Sequence, residues 1–173
     1  MGKQNLGFTV LELLIVIAIL LIGTSIALPS ITKMGQRAGV KSDARDLKNV
    51  LFRARMEAVK LNKSVSVIFN HAGCDYMAFV DENDSCEYDG VDGEKIICQG
   101  NLSYAALDDN EGGGDGLTFV ANDDGEPALR WDSKGLPYRN GAGFAAGTAY
   151  LYGGGAQYRV IMSKTGNVRI STY

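Results

Sequence analysis

Glu12 stands in a run that is otherwise almost wholly apolar: Gly7-Phe8-Thr9-Val10-Leu11-Glu12-Leu13-Leu14-Ile15-Val16-Ile17-Ala18-Ile19-Leu20-Leu21-Ile22. A carboxylate at the centre of a membrane-length helix costs about 2.5–3.5 kcal/mol on insertion scales, and less near an end. Ionisable residues retained in such places pair with something. The pairing chemistry available here is a new amino terminus. A cut between Gly7 and Phe8 would create a cationic amine a few residues from Glu12. Gly7 suits a peptidase cleft because it has no Cβ. A secretory signal places its small residue after the apolar run. Here the small residue comes before it, so the apolar segment stays on the processed chain.

Other chemistry is thinner. The loop Asp81-Glu82-Asn83-Asp84-Ser85-Cys86-Glu87-Tyr88-Asp89-Gly90-Val91-Asp92-Gly93-Glu94 is rich in oxygen ligands. Calcium takes six to eight oxygens, so this loop is the candidate calcium site, although Gly and the distal Glu are misplaced for an EF-hand. The bland reading is a solvated acidic loop, and Asp108–Glu111 reads the same way. Cysteines at 74, 86 and 98 allow three pairings. A hairpin over 74–98 centred near residue 86 sets Cys74 against Cys98, with Cys86 free at the tip. That spacing is too wide for a zinc site, and the single His71, in a turn, has no evident partner. No nucleophile elbow or phosphate-binding loop is present, so no catalytic residue and no metal site are assigned.

These residues must be positioned by a few elements. Phe8 to Leu28 is 21 residues, about 31 Å of helix at ~1.5 Å per residue, enough for a bilayer core. Pro29 lacks an N–H and should kink or locally melt the helix there. Beyond it, Val40, Leu47, Val50, Leu51, Ala54, Ala58 and Leu61 form an apolar stripe that ends near Asn62. The period then changes to two. Strands are expected at 64–69, 76–81, 95–99, 117–121, 128–132, 148–152, 157–163 and 168–172, with Trp131 in the core. One long helix followed by short strands and tight turns implies an α+β class with an antiparallel sheet.

The net charge is −3, and loss of residues 1–7 removes one more cation. Such an acidic chain is a poor general binder of nucleic acid. Its cations crowd the helix, however, at Lys33, Arg37, Lys41, Arg45, Lys48, Arg53, Arg55, Lys60 and Lys63. By the positive-inside rule that places the chain after Leu28 in the cytoplasm.

The segment Gly7-Phe8-Thr9-Val10-Leu11-Glu12-Leu13-Leu14 with Pro29 resembles the class III signal of type IV pilins and type II secretion pseudopilins. The body resembles FimT/GspH-type minor pilins through Arg55-Met-Glu-Ala58, Ser64–Phe69, Phe79–Asn83, Arg130–Pro137 and Tyr158–Ile170. The resemblance covers nearly the whole chain. It implies residues 1–7 as a prepilin leader, 8–29 as a transmembrane and filament-core helix, 30–62 as its amphipathic continuation, and 63–173 as a β-rich, sandwich-like head. It implies cleavage at Gly7–Phe8 and N-methylation of Phe8 by a membrane prepilin peptidase/methyltransferase, and assembly roles for Glu12 and Pro29. Partners would be other pilin or pseudopilin subunits, an inner-membrane assembly platform and membrane lipid. The implied place is the bacterial inner membrane, single-pass, with the head periplasmic, and then the filament. That reverses the orientation read from charge, and the more specific motif is preferred.

Some FimT-type minor pilins bind DNA through a Gly-Arg-x-Arg tail. Here the match is Gly166-Asn167-Val168-Arg169, one Arg short. A cluster of Arg159, Lys164 and Arg169 is the alternative reading, DNA uptake. Pilus biogenesis and type II secretion both remain open.

Overall fold

A computed structural model of the protein describes residues 9–90, 93–141 and 143–173, with side chains at 26 and 27 excepted. Two compact units are present, Met1–Gly35 and Gln36–Tyr173.

In the first unit the chain enters helix α1 (Val10–Leu61). Thr9 caps it: the Glu12 N–H donates to Thr9 Oγ1 at 3.2 Å, and the Leu13 N–H to the Thr9 carbonyl at 3.2 Å. Thr9-x-x-Glu12 is thus half of a capping box, with Glu12 in the first turn, where the helix dipole favours a negative charge. Every described side chain from 9 to 25 is exposed. The helix is long and apolar enough here to cross a membrane.

Of the kink or local melting expected at Pro29, melting does not occur, and α1 stays helical through it. A proline removes only one backbone donor. Nearby hydroxyls take up carbonyls along the same stretch: Thr24 Oγ1 donates to Leu20 and Leu21, Ser25 Oγ to Ile22, and Thr32 Oγ1 to the Pro29 carbonyl.

Among the described residues the second unit holds the rest of α1 and nine strands. These are β1 (Val65–Phe69), β2 (Tyr76–Val80), β3 (Ile96–Gly100), β4 (Ala106–Leu107), β5 (Ala128–Trp131), β6 (Pro137–Tyr138), β7 (Gly147–Gly153), β8 (Ala156–Met162) and β9 (Val168–Thr172). They form a five-stranded sheet, β3-β2-β1-β5-β6, and a four-stranded sheet, β4-β7-β8-β9, all antiparallel. The α+β class is as expected. Helix α1 ends on Asn62, whose φ of 53° and the Lys63 N–H to Ala58 carbonyl bond make a Schellman-type cap.

The main core joins Ala44, Leu47, Leu51, Ala54 and Ala58 of α1 to Val65, Val67 and Phe69 of β1, Leu129 and Trp131 of β5, and Leu151, Val160 and Met162 of the second sheet. Trp131 is fully buried, as expected. The expected strand at 117–121 is instead two isolated bridges, Leu117↔Ala149 and Ala121↔Pro127. Leu117 and Phe119 still pack inward, Phe119 stacking on Phe69 at 4.9 Å.

A period of two, as in 64–69, ordinarily leaves one face of a strand wet. All five residues of β1 are buried instead. A second cluster of Ile68, Met77, Phe79, Cys86 and Ala128, flanked by Cys74 and Tyr88, covers the other side of the sheet.

Candidate functional site

The cleavage and methylation residues, Gly7 and Phe8, lie outside the described residues. Glu12 is described: it is exposed and flanked by exposed Leu11 and Leu13. Among the described residues it has no ion pair. A carboxylate set in the first turn of an uncovered apolar helix is the arrangement that an amine from elsewhere could complete.

The acidic loop is spent on structure. Asp81, 2 % exposed, accepts from Ser66 Oγ at 2.5 Å, the Cys86 N–H at 2.9 Å and the Ser85 N–H at 3.1 Å. These bonds fold 81–90 back over the five-stranded sheet. Asn122 Nδ2 donates to the Cys86 carbonyl at 2.9 Å and closes the cover. Glu82 pairs with Lys63, and Asp84 with Arg130 at 3.5 Å. Glu94 accepts from the Asp89 and Gly90 N–H groups. Among the described residues no group of three or more His, Cys, Asp or Glu side chains is gathered as a metal site. Asp43 is used in the same way: it is buried in α1 and accepts from the Tyr104 and Ala105 N–H groups, both at 2.7 Å.

All three thiols are free, which corrects the Cys74–Cys98 bridge. The β2–β3 register pairs Ala78 with Cys98, so Cys98 faces a position four residues beyond Cys74. Cys74 flanks the second cluster, whereas Cys98 packs against the main core. Burial pushes the Cys86 thiol up to about 11 and raises Cys74 and Cys98 too, which favours the protonated thiol at neutral pH. His71 is not solitary either: its Nδ1 lies 2.9 Å from Glu126 Oε1.

The tail residues are divided. β8 and β9 pair Ile161 with Arg169 and Arg159 with Ser171, so Arg159 and Arg169 are diagonal neighbours on one face. Lys164, in the turn, lines a separate 150 Å³ cleft with Phe119, Phe144 and Arg139. Gly166 is committed to packing. Its φ is +78°, and a Cβ there would come 2.7 Å from Trp131. Its carbonyl accepts from Arg55 Nη1 at 3.3 Å, and the Arg55 guanidinium lies 5.5 Å from the Trp131 ring centre.

Beside this sheet Tyr173 donates to Asp108 Oδ2 at 2.8 Å and meets Tyr150 edge-on at 5.1 Å. The Tyr173 hydroxyl, with the Asn110 side chain, holds the Asp108 carboxyl below its usual range. Burial, then Asp108, raises Tyr173 above its own. A lowered carboxyl contributes stability above its unfolded value and loses it as pH falls. A raised phenol contributes below its unfolded value and loses it as pH rises. The contact is therefore complete between about pH 4 and pH 10. Tyr173→Phe should lower the melting temperature at pH 7, and the difference from wild type should shrink on both sides of that window in thermal melts.

A capped, exposed, membrane-length apolar helix carried by an α+β unit defines a pilin-like subunit. Residues 43–166 match the family described as type II transport protein GspH, and residues 2–28 match the prokaryotic N-terminal methylation motif. The chain belongs to the GspH family of the type IV pilin and pseudopilin superfamily. It is 30% identical over 167 residues to the pilin-like protein PilA1 of Thermus thermophilus, covering 95% of this chain and 97% of that one. No solved structure matches the chain significantly.

Proposed function

We propose that the chain is a minor pilin or pseudopilin that waits in the inner membrane with its head in the periplasm. It is cut between Gly7 and Phe8, N-methylated on Phe8, and enters a type IV pilus or type II secretion pseudopilus through residues 8–29. There it primes assembly or forms the tip. The observation that carries this reading is the first half of α1: a continuous apolar helix with its side chains uncovered and an exposed acid, Glu12, in its first turn. Such a surface requires a membrane or other helices around it. The methylation-motif match over residues 2–28 supports the processing step, and the similarity to a pilin-like protein supports the class.

Intact-mass measurement on membrane-extracted chain is the test. The expected mass is that of residues 8–173 plus one methyl group. Retention of residues 1–7 in cells with an active prepilin peptidase would overturn the reading.

A further inference from the structure

Folded proteins blunt the edges of their sheets with bulges, prolines, charges or very short strands, because an open edge invites another chain to pair with it. The edges here are β3 and β6 of one sheet and β4 and β9 of the other. β4 and β6 are two residues long. The β2–β3 ladder is bulged at Ala78/Phe79, and the acids Asp46 and Glu57 lie beside β3. β9 is different. All five of its residues pair with β8 without a bulge, it contains no proline, and its one charge is Arg169. Its outward backbone is open. The bond from the Ser163 N–H to the Asn167 carbonyl sets the phase of the β8–β9 ladder. Arg169 and Ser171 therefore bond to β8, while Val168, Ile170 and Thr172 turn their N–H and C=O groups away from it. Among the described residues these outward groups have no hydrogen-bond partner, apart from the Thr172 carbonyl, which accepts from Ser171 Oγ at 3.1 Å.

Side chains of α1 flank this edge. At one end Val168 shares a 170 Å³ cleft with Lys48, Phe52, Arg55 and Trp131. At the other end the β7–β8 turn meets Arg37, where a Cβ on Gly155 would lie 3.6 Å from Nη2. β8 and β9 thus run along α1 between those two points. At ~100° per residue Arg37, Lys41, Lys48 and Phe52 fall on the same side of the helix. None of Arg37, Lys41 and Lys48 has an ion pair or side-chain hydrogen bond among the described residues.

We propose that the β9 edge, with this row of cations beside it, binds an extended acidic peptide segment of another protein as an added strand of the second sheet. Main-chain bonds to Val168, Ile170 and Thr172 hold the segment, and its alternate side chains face α1. Phe52 and Lys48 are about 6 Å apart along the helix, close to the ~6.7 Å between same-face residues of a strand. The segment therefore carries an apolar side chain at the cleft and carboxylates at the following alternate positions, opposite Lys48 and Lys41. A second copy of the chain does not supply such a strand. Its exposed acids Asp109, Glu111, Asp115, Asp123 and Asp124 lie in or beside tight turns. Those turns are closed by bonds from the Glu111 N–H to Asp108, the Gly114 N–H to Glu111 and the Gly125 N–H to Asn122.

Full-length chain in detergent micelles is titrated with the fluorescent peptide Phe-Thr-Glu-Thr-Glu-Thr-Glu and followed by anisotropy at low salt. The expected result is saturable binding, with slowed amide exchange at Val168 and Ile170. N-methylation of the peptide at one alternate set of residues should weaken binding by about tenfold or more, and at the other set should leave it nearly unchanged, because only one set bonds to β9. Lys41→Glu with Lys48→Glu should weaken it by about tenfold or more, and Lys41→Arg with Lys48→Arg should not. Absence of saturable binding overturns the proposal, as do N-methyl sets of equal effect, equal binding of a peptide with Lys in place of Glu, or protection at β3 instead of β9. Self-association of the chain that the peptide displaces also overturns it, because a second copy would then be the occupant. The assay needs no filament, so its failure leaves the filament reading standing.

Discussion

Glu12→Val is expected to leave the proposed cleavage at Gly7–Phe8 intact and to lower incorporation into filaments by more than tenfold. In the proposed function the cut depends on Gly7 fitting the peptidase and on an apolar run behind it, and Val extends that run. In the proposed function incorporation depends on a charge pair between Glu12 and the amine of another subunit. Glu12 is exposed in the first turn of α1, held by the Thr9 cap. When helices pack side by side, the amine of a neighbouring Phe8 can reach it. At ~4 Å and an effective dielectric near 20 the attraction is about 4 kcal/mol before desolvation. Removing one partner leaves the other charge buried and uncompensated, which costs about 3–5 kcal/mol. A tenfold change needs only about 1.4 kcal/mol. Quantitative immunoblots of sheared filaments against the membrane fraction would measure this, and unchanged incorporation would rule out the pair. Glu12→Gln separates charge from shape: it keeps the Thr9 cap and the polar head, yet should assemble nearly as poorly as Val.

Trp131→Ala has the largest expected effect on the head, about 3–5 kcal/mol of lost stability and a fall in melting temperature of roughly 10–20 °C. Trp131 is fully buried where β5 meets α1 and the β8–β9 turn. Three things lose their support together: the apolar contacts of the main core, the Arg55 guanidinium over the ring, and Gly166, whose left-handed backbone fits against it. Truncation leaves a cavity that the two sheets cannot collapse to fill. Trp131→Phe retains much of the volume and should cost less than half as much. Thermal unfolding followed by near-ultraviolet circular dichroism measures both, and a loss under about 1 kcal/mol for Ala would show that the ring is not the anchor.

Most strands were legible because their signals are local. Val65–Phe69, Ile96–Gly100 and Val168–Thr172 lie within a residue or so of their expected places, bounded by turn residues that act over three or four positions. The two-residue strands β4 and β6 are too short to carry a period. The stretch at 117–121 has strand composition but not strand pairing, because Phe119 is drawn onto Phe69 and the ladder is reduced to bridges at either end.

The acidic loop was the least legible part. As a string of carboxylates it reads as solvated or as metal-binding. In the fold Asp81 reaches Ser66, 15 positions away, and brings Cys86 down onto Phe79. His71 has no partner among its sequence neighbours, and the one it finds, Glu126, is 55 positions distant. The cysteine pairing failed for a related reason. A hairpin centred on the middle cysteine is the simplest closure, but the register follows side-chain packing and a bulge at Ala78/Phe79.

The sequence by itself determined the membrane-length segment, its acid at the start, the family and the inward stripe of α1. These depend on composition and on a helical period, both of which are readable from neighbours in the chain. Only the tertiary structure decided that the acids serve the head, that β1 is buried on both faces and that the thiols stay apart. Those outcomes depend on which distant segments meet, and a buried polar group must be paired wherever the fold places it.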